Sequence, residues 1–160
     1  MEQARRKTID TISHAIKQHG AVLFAYLFGS YARDDVGPLS DIDVAVYFES
    51  NTSFEGRLRI NSGIEDALYK RLKLFGEQRV HIQTLNELYD KSIALEQEIV
   101  YNGMVIYVKD DRARAHYEAG AMHRVCDWLP HQEKFNTATL ENIERPIEPY
   151  RVYAKYAEHL

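Results

Sequence analysis

Hydrophobic residues follow two different spacings in the first third of the chain. Within residues 4–19 they recur every three or four positions, which predicts an amphipathic helix that ends at Gly20. Residues 21–28 form a nearly continuous apolar run, which is typical of a strand buried on both faces. Polar and apolar residues then alternate over 41–48, which predicts a second strand.

Helix and strand patterns continue to alternate along the rest of the chain. This order of elements predicts an α/β fold in which helices pack on a sheet. The remaining predicted elements are a helix carrying Ile64, Leu68 and Leu72, a strand over 79–85, a helix from an Asn86 N-cap to Glu98, a strand over 104–108, and a long helical segment from Asp110 that Pro130 interrupts.

The composition is that of a globular domain. The chain has 160 residues, of which 45% are hydrophobic and 28% charged. A chain of this size can bury a core without disulfides or a structural metal. Because the periodicity weakens near the C-terminus, we predict a domain over 1–135 and an arm or tail over 136–160.

Charge and hydropathy narrow the expected environment and partners. The net charge of −4 argues against a broad nucleic-acid surface, so no direct nucleic-acid partner is expected. The single cysteine, Cys126, excludes an internal disulfide and favours a reducing compartment. No segment approaches the ~20 apolar residues of a membrane span. We therefore expect a cytoplasmic protein with no membrane partner.

Two carboxylates stand one residue apart at the start of the second predicted strand. Side chains two positions apart point to the same face, so Asp41 and Asp43 lie together with Cα atoms about 6.6–6.8 Å apart. Hard divalent cations prefer oxygen ligands, and two close negative charges are costly unless a cation lies between them. The pair therefore predicts a site for one or two divalent cations.

A glycine-serine turn follows the first predicted strand. Backbone N–H groups and a hydroxyl at such a turn can bind phosphate oxygens, and Gly29 lets a phosphate approach closely. Ten residues separate Ser30 from Asp41, enough for a helical turn and a return to the neighbouring strand. The two features together predict a triphosphate site beside a metal-binding carboxylate pair.

The chain resembles the minimal nucleotidyltransferase (MNT) family of the polymerase-β-like superfamily. The resemblance lies in residues 29–33, residues 40–43 and the ten-residue interval between Ser30 and Asp41. The similarity extends over about residues 5–135, and residues 98–107 resemble the late helix-turn-strand of the family. The resemblance implies the α+β polymerase-β-like nucleotidyltransferase fold, with a mixed sheet of about four strands, flanking helices and a helical C-terminal segment.

The resemblance also implies roles for individual residues. It implies that Gly29, Ser30, Arg33 and Ser40 bind ATP and that Asp41 and Asp43 hold Mg²⁺ as catalytic residues. A surface salt bridge to Asp34 or Asp35 is an equal alternative for Arg33.

The family has a third catalytic carboxylate on a later strand, and the matching stretch 80–85 places His81 there. A neutral imidazole can ligate a metal or act as a base near neutral pH, but it adds no negative charge. Three interpretations follow. In the first, His81 takes over the catalytic role of the third carboxylate. In the second, the second metal site is impaired. In the third, the strand register differs and another acid, such as Glu77, is the third carboxylate.

MNT proteins of this length are usually paired with a HEPN protein, so the resemblance implies a toxin–antitoxin pair. The expected function is transfer of AMP from ATP to a tyrosine of a HEPN ribonuclease toxin within a hetero-oligomer. One alternative is an antitoxin that neutralises the toxin by binding alone, which His81 favours. The other is adenylylation of a small molecule such as an aminoglycoside, although about 50 residues after Val108 scarcely supply an acceptor-binding domain.

Overall fold

A computed structural model describes residues 2–33, 35–37, 40–72, 74, 78–87 and 92–144. Helices and strands alternate in it as the hydrophobic pattern predicts. In chain order the elements are α1 (Glu2–Lys17), β1 (Val22–Phe28), a short 3₁₀ helix η1 (Gly29–Tyr31), β2 (Ile42–Phe48), α2 (Phe54–Leu72), β3 (Val80–Thr84), a second 3₁₀ helix η2 (Leu85–Glu87), α3 (Ile93–Asn102), β4 (Met104–Val108) and α4 (Asp111–Glu144).

The four strands form one sheet in the order β3-β2-β1-β4. Strand β1 runs antiparallel to both β2 and β4, whereas β2 and β3 are parallel. The sheet is therefore mixed, which confirms the fold that the resemblance implied. Because β1 runs opposite to β2 and β3, the end of β1 and the starts of β2 and β3 lie at the same edge of the sheet.

Helices cover both faces of the sheet. Successive side chains of a strand point to opposite faces, so β1 contributes to two cores and six of its seven residues are buried. The first core joins α1 and α2 to the sheet through Ile12, Ile16, Ile64, Leu68, Leu27 and Val44. The second core joins α3 and α4 to it through Ile99, Tyr117, Ala121, Phe24 and Tyr26.

The helix before β4 begins later than the sequence pattern predicts. Its N-cap is Ser92, whose hydroxyl accepts a hydrogen bond of 3.2 Å from the backbone N–H of Leu95. Asn86 lies in η2 instead. Its amide accepts from the backbone N–H of Phe48 and donates to the carbonyl of Phe48, at 2.8 and 2.9 Å. The prediction of an Asn86 cap was therefore wrong, because this side chain pairs with the end of β2.

Helix α4 also differs from the prediction, since it includes Pro130 and runs to Glu144. Proline removes one backbone donor, and the hydrogen bonds before and after it maintain the helix. The chain divides into two compact units, Met1–Val125 and Cys126–Leu160, and the second is described only as far as Glu144. Most of the predicted arm over 136–160 thus lies outside the described residues. No helix in the described ranges is long and apolar enough to cross a membrane.

A buried ion pair connects α3 to α4 within the first unit. Glu96 is fully buried, and both of its oxygens accept from Arg124, at 3.0 Å from Nε and 2.6 Å from Nη2. The guanidinium of Arg124 also packs on Gly120, where an added Cβ would lie 3.2 Å from Nη1. A buried carboxylate is tolerated only with such a partner, so this pair holds the two helices in one arrangement.

Replacing Arg124 with alanine should therefore reduce the free energy of unfolding by about 3 kcal/mol, because the Glu96 charge stays buried without its cation. Urea denaturation followed by circular dichroism measures the effect. Arg112→Ala removes the same charge from an exposed position of the same helix and should change the value by less than ~0.5 kcal/mol. Equal stabilities of the two variants would contradict this account of the pair.

Candidate active site

The residues predicted to carry the chemistry meet at one edge of the sheet, although they are far apart in sequence. The strand register pairs Phe28 with Asp43, and Asp43 with His81. Gly29 therefore follows directly beside Asp43, and Asp41 precedes the first residue of β2 at the same edge. The topology thus brings together the turn after β1, both aspartates and the histidine.

The Asp43 carboxylate lies between the turn and the histidine. Its Oδ1 is 3.2 Å from Nδ1 of His81, and its Oδ2 lies against the backbone of Gly29. A carboxylate only accepts, so this contact is a hydrogen bond whenever Nδ1 of His81 carries a proton. The Asp43 side chain is 25% exposed and the His81 side chain 57% exposed. Both groups are therefore accessible to a bound molecule.

Asp41 is held in place by the start of β3. Its Oδ1 accepts a hydrogen bond of 2.7 Å from the backbone N–H of Arg79, and the N–H of Ile42 donates to the carbonyl of Arg79 at 2.9 Å. Strand alternation places Asp41 on the same side of the sheet as Asp43. The backbone of the neighbouring strand thus orients the first carboxylate.

The turn after β1 requires a glycine for two independent reasons. Gly29 has a φ of 69°, in the left-handed region that other residues rarely adopt. A Cβ at this position would also lie 2.5 Å from Oδ2 of Asp43. The carboxylate therefore reaches the backbone of the turn only because position 29 has no side chain.

The two serines of the predicted site occupy different environments. Ser30 lies half-buried in η1, directly after Gly29. The hydroxyl of Ser40 accepts from the backbone N–H of Gly37 at 2.8 Å, and the N–H of Ser40 donates to the carbonyl of Gly37 at 3.2 Å. Ser40 therefore stabilises the turn that leads into β2.

Arg33 forms an ion pair with Glu98 of α3. This partner is neither Asp34, which lies outside the described residues, nor Asp35, and it connects the end of the turn to α3. Glu77, the alternative third acid, also lies outside the described residues.

Sequence reasoning missed Arg5, which contacts the turn from α1. Its Nε and Nη2 donate to the carbonyl of Tyr31 at 3.0 and 2.8 Å, and Nη2 also donates to the carbonyl of Ala32 at 3.3 Å. The ring of Tyr31 is buried, which raises the pKa of its hydroxyl and keeps it neutral. No motif marks Arg5, because its role depends on contacts that form only in the folded chain.

The donor set fits Mg²⁺ bound together with a nucleotide. Within the described ranges, no group of three or more His, Cys, Asp and Glu side chains could hold a metal ion. Mg²⁺ is commonly bound through one or two carboxylates that act with substrate phosphates and water. Asp41 and Asp43 provide two such carboxylates, and Oδ2 of Asp43 lies directly beside the turn, 2.5 Å from where a Cβ at position 29 would be.

Residues 10–112 match the family described as Polymerase beta, Nucleotidyltransferase. The matched range begins within α1 and ends at the start of α4, so it includes the whole sheet and every predicted site residue. A relative in Methanocaldococcus jannaschii is named "Putative protein adenylyltransferase MJ1379". It is 31% identical over 104 residues, which cover 59% of this chain and 98% of that protein.

Solved structures show the same fold at low sequence identity. One is the crystal structure of a toxin–antitoxin with AMP-PNP. A chain in it has a TM-score of 0.56 and 20% identity, and the match covers 84% of this protein and 97% of that chain. A second similar structure is the complex of a tri-AMPylated Shewanella oneidensis HEPN toxin with an MNT antitoxin. One of its chains has a TM-score of 0.54 and 17% identity, and the match covers 87% of this protein and 98% of that chain.

Proposed function

Because the chain belongs to the polymerase β nucleotidyltransferase family, we propose that it transfers AMP from ATP to a tyrosine hydroxyl of a HEPN-type ribonuclease toxin. The modification would silence the toxin, so the chain would act as its antitoxin within a hetero-oligomer. The name of the archaeal relative supports a protein acceptor. The similar solved complexes, one with AMP-PNP and one with an AMPylated HEPN toxin, support ATP and the partner.

The observation that carries this proposal is the contact between Asp43 and the backbone of Gly29. It places a carboxylate directly beside a left-handed glycine turn, so that metal-bound and turn-bound phosphate oxygens would be neighbours. A site for a neutral molecule would need neither a carboxylate that can hold a cation nor, beside it, backbone N–H groups that can bind an anion.

In the proposed step, the tyrosine oxygen attacks the α-phosphorus of ATP. The new P–O bond forms while the bond from the α-phosphorus to the bridging oxygen breaks, and pyrophosphate leaves with that oxygen. The phenolic proton passes to a base. Bound Mg²⁺ would supply neutralisation of phosphate charge during the transfer.

Each residue of the site has a defined part in this proposal. Asp41 and Asp43 would hold Mg²⁺, and Gly29 and Ser30 would bind the β- and γ-phosphates. His81, next to Asp43, would accept the phenolic proton.

Two further residues of the predicted site would act less directly. Ser40 would shape the approach to Asp41 through its turn with Gly37. Arg33, at the end of the turn, pairs with Glu98 and would assist in binding the phosphates.

The test combines this chain, a HEPN protein encoded beside its gene, Mg²⁺ and ATP labelled at the α-phosphate. We expect label on the partner and an increase in the partner's intact mass by whole AMP units. A partner variant with its acceptor tyrosine changed to phenylalanine is the matched control and should stay unlabelled. A partner that is neutralised but never labelled would contradict the transfer proposal.

That contrary outcome would favour a second candidate, an antitoxin that acts by binding alone. The observation in its favour is the position of His81, 3.2 Å from Asp43, where the resemblance implies that the family has its third carboxylate. With an imidazole there, the site has one negative charge fewer to offer a second cation.

Variants of His81 separate the two candidates. If His81 is the base, His81→Ala should lower the labelling rate about 100-fold, whereas His81→Asp should retain or raise it by restoring an acid. Both rates are measured from label incorporation into the partner. Equal labelling by wild type and His81→Ala would remove His81 from the mechanism. Labelling by His81→Asp alone would show that wild type acts by binding.

A further inference from the structure

Four successive carbonyls of the turn after β1, at residues 29–32, accept hydrogen bonds. The carbonyl of Gly29 accepts from the N–H groups of Ala32 and Arg33, at 3.2 and 3.3 Å, and the carbonyl of Ser30 accepts from Asp35 at 3.1 Å. These bonds lie within the turn itself. The next two carbonyls, at residues 31 and 32, accept from the Arg5 side chain. A side chain from α1 therefore completes the hydrogen bonding of this segment.

The geometry of this contact suits arginine in particular. One guanidinium nitrogen, Nη2, bonds both carbonyls while Nε bonds the first, so the planar fork joins two consecutive peptide groups. A lysine ammonium is a point charge on a flexible stem and lacks this fixed geometry. Hydrogen bonds from a charged donor are also the stronger kind, and Arg5 is half-buried.

The same segment is anchored on its other side by packing. Tyr31 is buried in the core formed with α1 and α2, and Gly29 lies against the carboxylate of Asp43. The turn is thus contacted by Asp43 at its start, by the core at Tyr31, and by Arg5 and Glu98 at its end. Of these, Arg5 alone precedes residues 10–112, the range that matches the family.

We infer that Arg5 is a positioning residue for nucleotide binding, because its guanidinium fixes the turn in which Gly29 and Ser30 meet the triphosphate. The inference rests on the proposed function and adds to it a residue of α1 that touches neither substrate nor metal. Arg5 acts through the backbone carbonyls that it bonds. Loss of the fork loosens the turn, and the phosphate-binding groups then spend less time in the productive geometry.

The experiment compares Arg5→Gln, Arg5→Lys and the control Arg6→Gln, which removes the same charge from an exposed neighbour on the same helix. Two quantities are measured: hydrogen exchange at the amides of residues 32, 33 and 35 without nucleotide, and steady-state KM and kcat for ATP. In Arg5→Gln we expect exchange at these amides to rise about tenfold, KM for ATP to rise about tenfold and kcat to fall less than threefold. Arg6→Gln should match wild type in all of these values.

Arg5→Lys distinguishes positioning from simple attraction of the anionic nucleotide. It keeps the charge and loses the fork, so positioning predicts that KM stays raised by at least about threefold. A Lys variant identical to wild type in KM and exchange would overturn the inference, as would faster exchange with an unchanged KM in Arg5→Gln. Those results leave the proposed function intact if wild type labels its partner. A wild type that binds no ATP in calorimetry would contradict both proposals.

Discussion

Replacing Asp41 and Asp43 together with asparagine is expected to reduce AMP transfer at least about 1,000-fold. The double variant keeps the shape of both side chains but removes the two charges that would hold Mg²⁺ beside the phosphates. Charge stabilisation by a metal contributes several kcal/mol to such a transfer, and each 1.36 kcal/mol corresponds to a factor of ten in rate. Label incorporation into the partner from ATP labelled at the α-phosphate measures the loss.

The fold should survive this change, because neither carboxylate supports the apolar core. Asp41 accepts one hydrogen bond from Arg79, which an asparagine oxygen can also accept. Asp66→Asn, an exposed position on α2, is the matched control and should transfer AMP at the wild-type rate. Undiminished labelling by a folded double variant would show that transfer takes place without these carboxylates.

The position of both aspartates could be predicted because it depends on local pattern and one pair of neighbouring strands. Alternation in β2 puts Asp41 and Asp43 on one side, and antiparallel pairing with β1 brings Gly29 to them. The placement of His81 could not be derived this way. It depends on the parallel register of β3 with β2, and only the family resemblance predicted it before the structure showed the pairing.

Contacts between distant elements were beyond prediction. For Arg33 the sequence left phosphate binding and a salt bridge to Asp34 or Asp35 as equal alternatives, yet α3 approaches the turn and supplies Glu98 as its partner. The pair between Glu96 and Arg124 is similar, because it forms only when α3 and α4 pack on the same face of the sheet. Side chains of this kind carry no periodic signal, since their spacing in sequence is set by topology.

Local chemistry was misleading where one residue type serves several structures. Asparagine is common at helix N-caps, but its amide can equally donate to and accept from a backbone, as Asn86 does with Phe48. Proline usually ends a helix, yet α4 continues through Pro130. Both errors concern boundaries of elements, and neither alters the position of the site at the edge of the sheet.

Replacing Gly29 with alanine is expected to lower kcat/KM for ATP at least about 100-fold with only a modest loss of stability. The new Cβ would lie 2.5 Å from Oδ2 of Asp43, so either the carboxylate or the turn must move. A displacement of about 1 Å in a reacting group can cost a factor of 100 in rate. The left-handed backbone adds about 1–2 kcal/mol of strain for any residue with a side chain.

Gly20→Ala provides the matched control for this change. A Cβ at Gly20 meets no atom within 4 Å, so the same added methyl group should leave kcat/KM unchanged. Steady-state kinetics and urea denaturation of both variants are then compared with wild type.

A Gly29→Ala protein with normal kcat/KM would mean that the nucleotide does not bind at this turn. If the Gly29→Ala protein were unfolded without urea and had no measurable kcat/KM, Gly29 would be required for folding, and its contact with Asp43 would serve the fold and not the nucleotide. Loss of kcat/KM from a protein that still unfolds cooperatively is the expected result, because the substitution disturbs one carboxylate at the edge of the sheet and leaves both cores in place.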